Sequence, residues 1–309
     1  MPNRTLRNLS LSAIVLAVAA LPPTAGAAVA LSPLFAGLFQ AGTGLDARFA
    51  QIDSGWRGST VLWDEKEEAY GSGVAIGSLD WGTGLWGRAD WQAVHDAWAP
   101  SAPPGSAPVP TRTWAGLVGG VNFGNAVYNA LYSDSWGPAD LVPFFEGDAP
   151  PAHPGALTDN GWIAHYQSVQ DNWTAHFTGL LRVTRPGTYD LSVLNDDGFF
   201  LRLTGGSQTL EIGRDFLNPR NRDGFAEALW LDAGLYGLEL GMWNRLEAGV
   251  VDLRWSLDGG PWELVPAAHL LPSFDLARPL PAPSTLALAL PALGLVLLAR
   301  TGRRAVRRT

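Results

Sequence analysis

The chain has 309 residues, no cysteine and a formal net charge of −8. The absence of cysteine excludes disulfides, thiolate metal sites and a cysteine nucleophile. Seven of the 21 basic residues lie near the two ends, so the long middle carries 14 basic against 29 acidic residues, which disfavours nucleic acid as a partner and favours cations.

The N-terminus has the layout of a secretory signal peptide over residues 1–27. Arg4 and Arg7 precede an uncharged run from Leu9 to Leu21, and the small-x-small site Ala25-Gly26-Ala27 follows. The run is shorter than an ordinary membrane span. The layout therefore predicts an exported protein whose leader is removed.

Residues 31–275 form the exported body, and its strand signals are densest between residues 173 and 265. Apolar residues there alternate with polar residues or glycines. The alternating sets are Tyr189, Leu191 and Val193; Tyr236, Leu238, Leu240 and Met242; and Val251, Leu253 and Trp255. A period of two predicts strands with one buried face and one face in water. Short strands with turn sequences between them, and no convincing helix, predict an all-β body built as an antiparallel β-sandwich.

Two adjacent acids, Asp196 and Asp197, precede Gly198 at the end of one predicted strand. Neighbouring side chains of a strand point to opposite faces, so two adjacent carboxylates converge only where the backbone kinks or takes a cis peptide. Asp-Asp-Gly is also a good turn sequence, because Asp bonds its own backbone and Gly accepts a positive φ. The residues alone leave open a structural turn or a binding site.

The order of motifs in the second half of the body resembles a known family. The motifs are Trp173–Val183, Gly187-Thr188-Tyr189, Asn195–Gly198, Phe200–Leu203, Ala233–Tyr236 and Val251–Ser256. Together they resemble the PA14 domain, with residues 173–270 as the best-matching part. Phe35–Phe39 and Asp80–Gly84 are similar to earlier parts of that family. Residues 85–172 are then a long insertion with loops, or else a separate front subdomain.

The resemblance implies a β-sandwich that often binds carbohydrate and is usually not catalytic. It implies that Asp196 and Asp197 form a cis pair that coordinates Ca²⁺, together with Asn244 and carbonyl oxygens of the same loop. Calcium takes hard oxygens and can share two of them with vicinal sugar hydroxyls. Trp243 and Asn244 are then the expected ligand-binding residues, with Trp243 stacked on a sugar face. The alternatives are a turn without metal and a Trp243 that is a core or surface aromatic.

The C-terminal segment, residues 280–309, has three parts. Leu280-Pro281-Ala282-Pro283 precedes an uncharged apolar stretch, residues 284–299, and a cluster of five arginines. The apolar stretch predicts a short transmembrane helix whose arginines stay on the cytoplasmic side. The layout resembles the PEP-CTERM sorting signal, with Ala282 where that family has Glu, and it implies an exosortase-type sorting enzyme as a partner. The alternative is a plain C-terminal anchor.

The sequence thus predicts a non-catalytic, exported protein, first membrane-anchored and then at the cell surface or outside the cell. Its PA14-like module would bind extracellular polysaccharide or another glycan. No Gly-x-Ser-x-Gly elbow or His-Glu-x-x-His helix occurs, and the single lysine, Lys66, excludes a phosphate-binding Gly-Lys loop. A structural matrix component without a ligand and a polysaccharide-active enzyme that uses the front region remain alternatives.

Overall fold

The computed structural model describes residues 28–37, 41–53, 56, 84–98, 110–148 and 170–272. The expected signal peptide and the sorting tail, with its helix over residues 284–299, lie outside these ranges. Within them, no helix combines the length and the apolar character that crossing a membrane requires.

Strands make up most of the described residues. In chain order they are β1 (Val29–Leu31), β2 (Phe35–Ala36), β3 (Leu45–Gln51), β4 (Arg112–Val118), β5 (Asn122–Gly124), β6 (Asp140–Leu141), β7 (Trp173–Val183), β8 (Gly187–Asp196), β9 (Gly198–Gly205), β10 (Gln208–Arg214), β11 (Asn221–Gly224), β12 (Leu229–Leu231), β13 (Gly234–Asn244), β14 (Val250–Leu257), β15 (Glu263–Leu264) and β16 (Leu270–Leu271). The described α-helices are α1 (Arg88–Ala97) and α2 (Ala126–Trp136).

The described strands form two sheets. The first runs β1-β12-β8-β14-β5-β6, with β11 also beside β8 and β15 beside β14. The second runs β10-β9-β13-β7-β3-β4, with β16 also beside β7 and β2 beside β13. Nearly all pairs are antiparallel; β1 with β12 and β5 with β6 are parallel. The expected two-sheet, all-β body is confirmed.

The core lies between the two sheets and is built by the predicted alternation. All ten apolar residues of the three alternating sets are buried in one cluster with side chains of both sheets. Phe49, Phe123 and Phe177 join them in edge-on and stacked ring contacts. A local pattern of apolar and polar residues therefore decided which face of each strand turned inward.

The outer faces are less exposed than the alternation predicts. Ser192 and Asp252 stand at positions expected in water, yet both are buried. Arg222 on β11 donates two hydrogen bonds to the Asp252 carboxylate, and Arg254 donates a third. The long arginine side chains and the neighbouring strand β11 thus cover this part of the first sheet.

Each outer face also carries a helix that the sequence analysis did not predict. Trp91 and Val94 of α1 pack against Phe200 on the second sheet. On the first sheet, α2 packs Val127 and Tyr128 in one cluster with residues of β8 and β14. The strands β4, β5 and β6, which also come from residues 85–172, pair within the two sheets.

The chain crosses between the sheets several times, and two of these crossings lie together at one end of the sandwich, here called the crossover end. Asp196-Asp197 joins β8 to β9, and residues 245–249 join β13 to β14. At the opposite or far end, β1 pairs with β12 beside the start of β8, and β16 pairs with the last third of β7. The strand β8 alone spans about 30 Å between the two ends.

Candidate functional site

Asp196 and Asp197 stand where the chain turns from the first sheet into the second. Asp196 ends β8, Gly198 begins β9, and the Asp196–Asp197 peptide is cis, as the resemblance implied. Gly198 is required here, because a Cβ atom on it would lie 2.3 Å from the Trp243 ring. Since β8 and β9 belong to different sheets, the two acids do not alternate as they would along one straight strand.

Asp196 is a buried carboxylate with a cationic partner. Arg220 Nη1 donates to Asp196 Oδ2 over 3.0 Å, and only 12% of each side chain is exposed. Burial raises the pKa of Asp196 well above its usual range; the Asp197 and Glu247 carboxylates raise this pKa further, while Arg220 lowers it. Mutual repulsion among the carboxylates makes this end of the molecule favourable for a cation.

Hydrogen bonds fasten Asp197 to the connection between β13 and β14. Asp197 N donates to Trp243 O over 3.1 Å, and Arg245 N donates to Asp197 Oδ2 over 2.7 Å. Asn244 stands between these two partners at the last position of β13. The structure therefore brings the three expected metal ligands, Asp196, Asp197 and Asn244, to the crossover end.

Asn244 has a side-chain oxygen without a hydrogen-bond partner. The residue is 0% exposed, and its Nδ2 donates to Leu246 O over 2.9 Å. Its Oδ1 is buried and makes no hydrogen bond in the structure. A buried polar atom left unpaired costs about 1–3 kcal/mol, so such atoms are rare in folded proteins. An amide oxygen is one of the ligands that calcium takes.

The helix α2 fixes the connection that follows Asn244. Asn125 caps α2 by accepting from Tyr128 N over 2.9 Å, and the same Oδ1 accepts from Gly249 N over 3.2 Å. Asn125 Nδ2 donates to Glu247 O. One buried side chain thus holds both the helix and the connection. The sequence analysis missed Asn125, although an Asn directly before an apolar run is an N-cap signal.

Arg220 connects Asp196 to the outer side of α2. Its guanidinium carbon lies 3.1 Å from the centre of the Tyr132 ring and 6.0 Å from that of Tyr128. Its Nε is buried and makes no hydrogen bond in the structure. Nothing in the local sequence marks Arg220, because its place depends on the pairing of β11 with β8.

Trp243 is buried, which corrects the expectation that it stacks on a sugar. Its side chain is 0% exposed and packs beneath α1 in one cluster with Trp91 and Phe200. A ring without an exposed face offers no surface to a sugar. Trp243 Nε1 instead donates to Phe216 O over 3.0 Å, which fixes the segment that leads to Arg220.

The oxygen atoms at the crossover end are of the chemical types that calcium binds. Among the described residues, no group of three or more histidine, aspartate and glutamate side chains is arranged to hold a metal. The candidate set is of another composition, with carboxylates from Asp196 and Asp197 and the unpaired amide oxygen of Asn244. Calcium takes six to eight oxygens, so carbonyl groups, water or ligand hydroxyls would complete its shell.

The sequence matches no protein-family model and no curated protein. Among solved structures, the chain is similar to the PA14 domain of the MpAFP antifreeze protein, with 12% identity and a TM-score of 0.42 over 79% of this chain and 98% of that one. It is also similar to the epithelial adhesin 6 A domain from Candida glabrata, solved in complex with Galb1-3GlcNAc, with 14% identity and a TM-score of 0.42 over 81% and 95% of the two chains.

A third similar structure is an anti-sigma factor domain-containing protein from Clostridium clariflavum, with 18% identity and a TM-score of 0.38 over 82% of this chain. The chain spans 52% of that protein and 42% of another protein of the same description. Likenesses of this size do not by themselves assign a function to the chain.

Proposed function

We propose that this chain is an exported, non-catalytic surface or matrix protein whose two-sheet body binds carbohydrate through a calcium ion. Asp196, Asp197 and Asn244 would hold the ion at the crossover end. The observation that carries the proposal is the buried Asn244 Oδ1, which has no partner although it lies beside the connection bonded to Asp197. The repulsion among the neighbouring carboxylates adds to it.

The residues around the ligands have separate tasks in this proposal. When bound, calcium supplies coordination positions that two neighbouring sugar hydroxyls can occupy. Arg245 N holds Asp197 Oδ2, Arg220 holds Asp196 Oδ2, and Asn125 holds the connection on its outer side. These bonds orient the site before the ion arrives, which lowers the entropy lost on binding.

Calorimetric titration of the full chain with calcium tests the metal site. We expect a single calcium site in the wild type and at least a roughly tenfold weaker site in Asp197→Asn, because calcium affinity follows the number of charged ligands. Asp190→Asn is the matched control, since Asp190 lies on β8 away from the crossover end. Absence of calcium heat in the wild type, or equal binding by both variants, would contradict the proposal.

A glycan array tests the carbohydrate. Binding that appears with calcium, disappears with a chelator and is absent in Asp197→Asn would support the proposal. Silence across all glycans in the presence of calcium would count against it.

One contact favours a second candidate, a structural matrix component without a ligand. Arg220 already gives Asp196 a positive partner at 3.0 Å, and a paired carboxylate needs no metal to remain buried. Calcium-independent stability and no glycan binding would support this second function.

We also propose that the protein is sorted through its C-terminal segment. Residues 284–299 would hold it in the membrane, and an exosortase-type enzyme would process the tail before release to the surface. The support is the sequence layout of residues 280–309. The mass of the mature chain tests this step, and a tail left intact would contradict processing.

A further inference from the structure

Arg220 offers more hydrogen-bond donors than the protein uses. A guanidinium has five N–H donors in one plane. Arg220 Nη1 donates to Asp196 Oδ2, whereas Nε is buried without a partner and no other described residue accepts from this side chain. The Tyr132 ring covers one face of the guanidinium at 3.1 Å and leaves the donor edge unblocked by that stacking.

Arg220 also stands on the accessible border of the crossover end. Its side chain is 12% exposed, and Asp197, Glu247 and Tyr132 are likewise partly exposed. Because Arg220 is hydrogen-bonded to Asp196, a ligand that reached Asp196 from solvent would lie next to this guanidinium. The guanidinium is held in place by its hydrogen bond to Asp196 and by the Tyr132 ring, and Trp243 fixes the backbone of Phe216 in the segment before it.

The negative charge of this region is cancelled when a divalent cation binds. Three carboxylates, those of Asp196, Asp197 and Glu247, lie around the Arg220 guanidinium, whereas the Arg245 guanidinium stacks on the Trp86 ring. A divalent cation would cancel the negative charge that Arg220 leaves uncompensated. On a body dominated by acidic residues, the loaded site would no longer repel an anionic group, and the Arg220 donors would be open to it.

Building on the proposed calcium-dependent glycan binding, we propose that the site selects saccharides that carry a carboxylate, and that Arg220 binds this carboxylate. Guanidinium and carboxylate groups pair through parallel hydrogen bonds, which gives such a contact both strength and direction. Uronic acids are the corresponding class of sugar, because they combine vicinal hydroxyls for the cation with a carboxylate for Arg220.

Calorimetry of the full chain in calcium tests the selectivity with digalacturonate and its dimethyl ester. The two probes share one backbone and differ in charge. We expect the wild type to bind the acid at least tenfold more tightly than the ester. Arg220→Gln should lose this preference and bind both probes as the wild type binds the ester.

Arg185→Gln is the matched control for the loss of one positive charge. Arg185 is 63% exposed and pairs with Asp258 at the far end of the sandwich. This variant should keep the full preference for the acid. Equal loss of the acid in Arg185→Gln and Arg220→Gln, or equal binding of acid and ester by the wild type, would overturn the proposal.

A second variant, Arg220→Lys, distinguishes loss of the planar guanidinium from a general loss of folding. It keeps a positive charge beside Asp196, so it should remain folded and bind calcium alone within about twofold of the wild type. It should still lose most of the preference for the acid, because an ammonium lacks the planar pair of donors. Normal calcium binding without acid preference in the wild type would overturn the selectivity alone, whereas no calcium binding would overturn the proposed function with it.

Discussion

His95 is a buried imidazole that meets no hydrogen-bond partner. It is 6% exposed, and both of its ring nitrogens are buried without a partner in the structure. Its ring packs 4.6 Å from Trp91 and 5.2 Å from His176, measured between centroids. The charged groups around it are Arg48 and the Glu239 carboxylate that already bonds His176. The surroundings of His95 therefore favour its neutral imidazole over the protonated form.

We predict that this residue makes the protein less stable in mild acid. Burial lowers the pKa of His95 well below 6.5, and His176 and Arg48 lower it further. Below about pH 6.5 the His95 imidazole is protonated in the unfolded chain but stays neutral in the folded chain. The free energy of unfolding therefore falls by up to about 1.4 kcal/mol per pH unit. Urea unfolding at pH 7 and pH 5 should show a smaller loss in His95→Phe than in the wild type.

His269→Gln provides the comparison for this experiment, because His269 lies on another part of the molecule and bonds Arg182 O. That variant should retain the wild-type loss between pH 7 and pH 5. Identical losses in the wild type and in His95→Phe would show that His95 does not carry the effect.

The sequence analysis identified some residues of the site and missed others. Asp196, Asp197 and Asn244 were found through motifs that the family resemblance supplied. Trp243 was misjudged because the period of two places it on an outer face, and α1, which covers that face, comes from a distant segment. No feature of the neighbouring sequence indicated Arg220, because it is positioned by the pairing of β11 with β8, in which Asn221 lies opposite Asn195.

At the scale of elements, α2 acts as a clamp on the connection between β13 and β14. We predict that Asn125→Ala destabilises the protein by about 2 kcal/mol, because it removes the helix cap and two bonds to the connection. It should also weaken calcium binding and speed amide exchange over residues 245–249. Urea unfolding, calorimetry and hydrogen exchange measure the three effects.

Asn129→Ala is the matched control on the same helix. The side-chain nitrogen and oxygen of Asn129 both bond the backbone of Ala139, which follows the C-terminal end of the helix in the chain. It should lower stability without changing calcium affinity. Calcium binding that is unchanged in Asn125→Ala would show that the clamp does not organise the site.

The strands between residues 173 and 265 were predictable, whereas the helices and the strands β4, β5 and β6 were not, for one physical reason. Strand faces follow from alternating residues within a few positions, as in Tyr189, Leu191 and Val193. The helices lie in a segment rich in tryptophan and glycine whose apolar residues have no single clear period. Their positions are decided by the outer sheet faces that they cover, which the local sequence does not contain.

At the scale of the whole molecule, the proposed ion lies beside the two crossings between the sheets that define the crossover end. We predict that calcium stabilises the entire body, since binding to the folded state alone adds about 2.7 kcal/mol at a concentration 100-fold above Kd. Thermal unfolding should show one transition that moves up with calcium, returns with a chelator and does not move in Asp197→Asn. An equal calcium shift in that variant would locate the effect elsewhere.

The placement of β1 and β16 has a consequence for how the molecule can be displayed. The first and last strands of the described body lie in the far half of the sandwich, since Val29 is level with Tyr189 and Leu271 with Leu180, each roughly 23 Å along its strand from the crossover end. A surface attached at either of these strands, whether a lipid bilayer or a sensor chip, would hold the molecule by the far half of the sandwich. Asp196 and Asp197 would then lie on the side away from that surface, where a polysaccharide in solution can contact them.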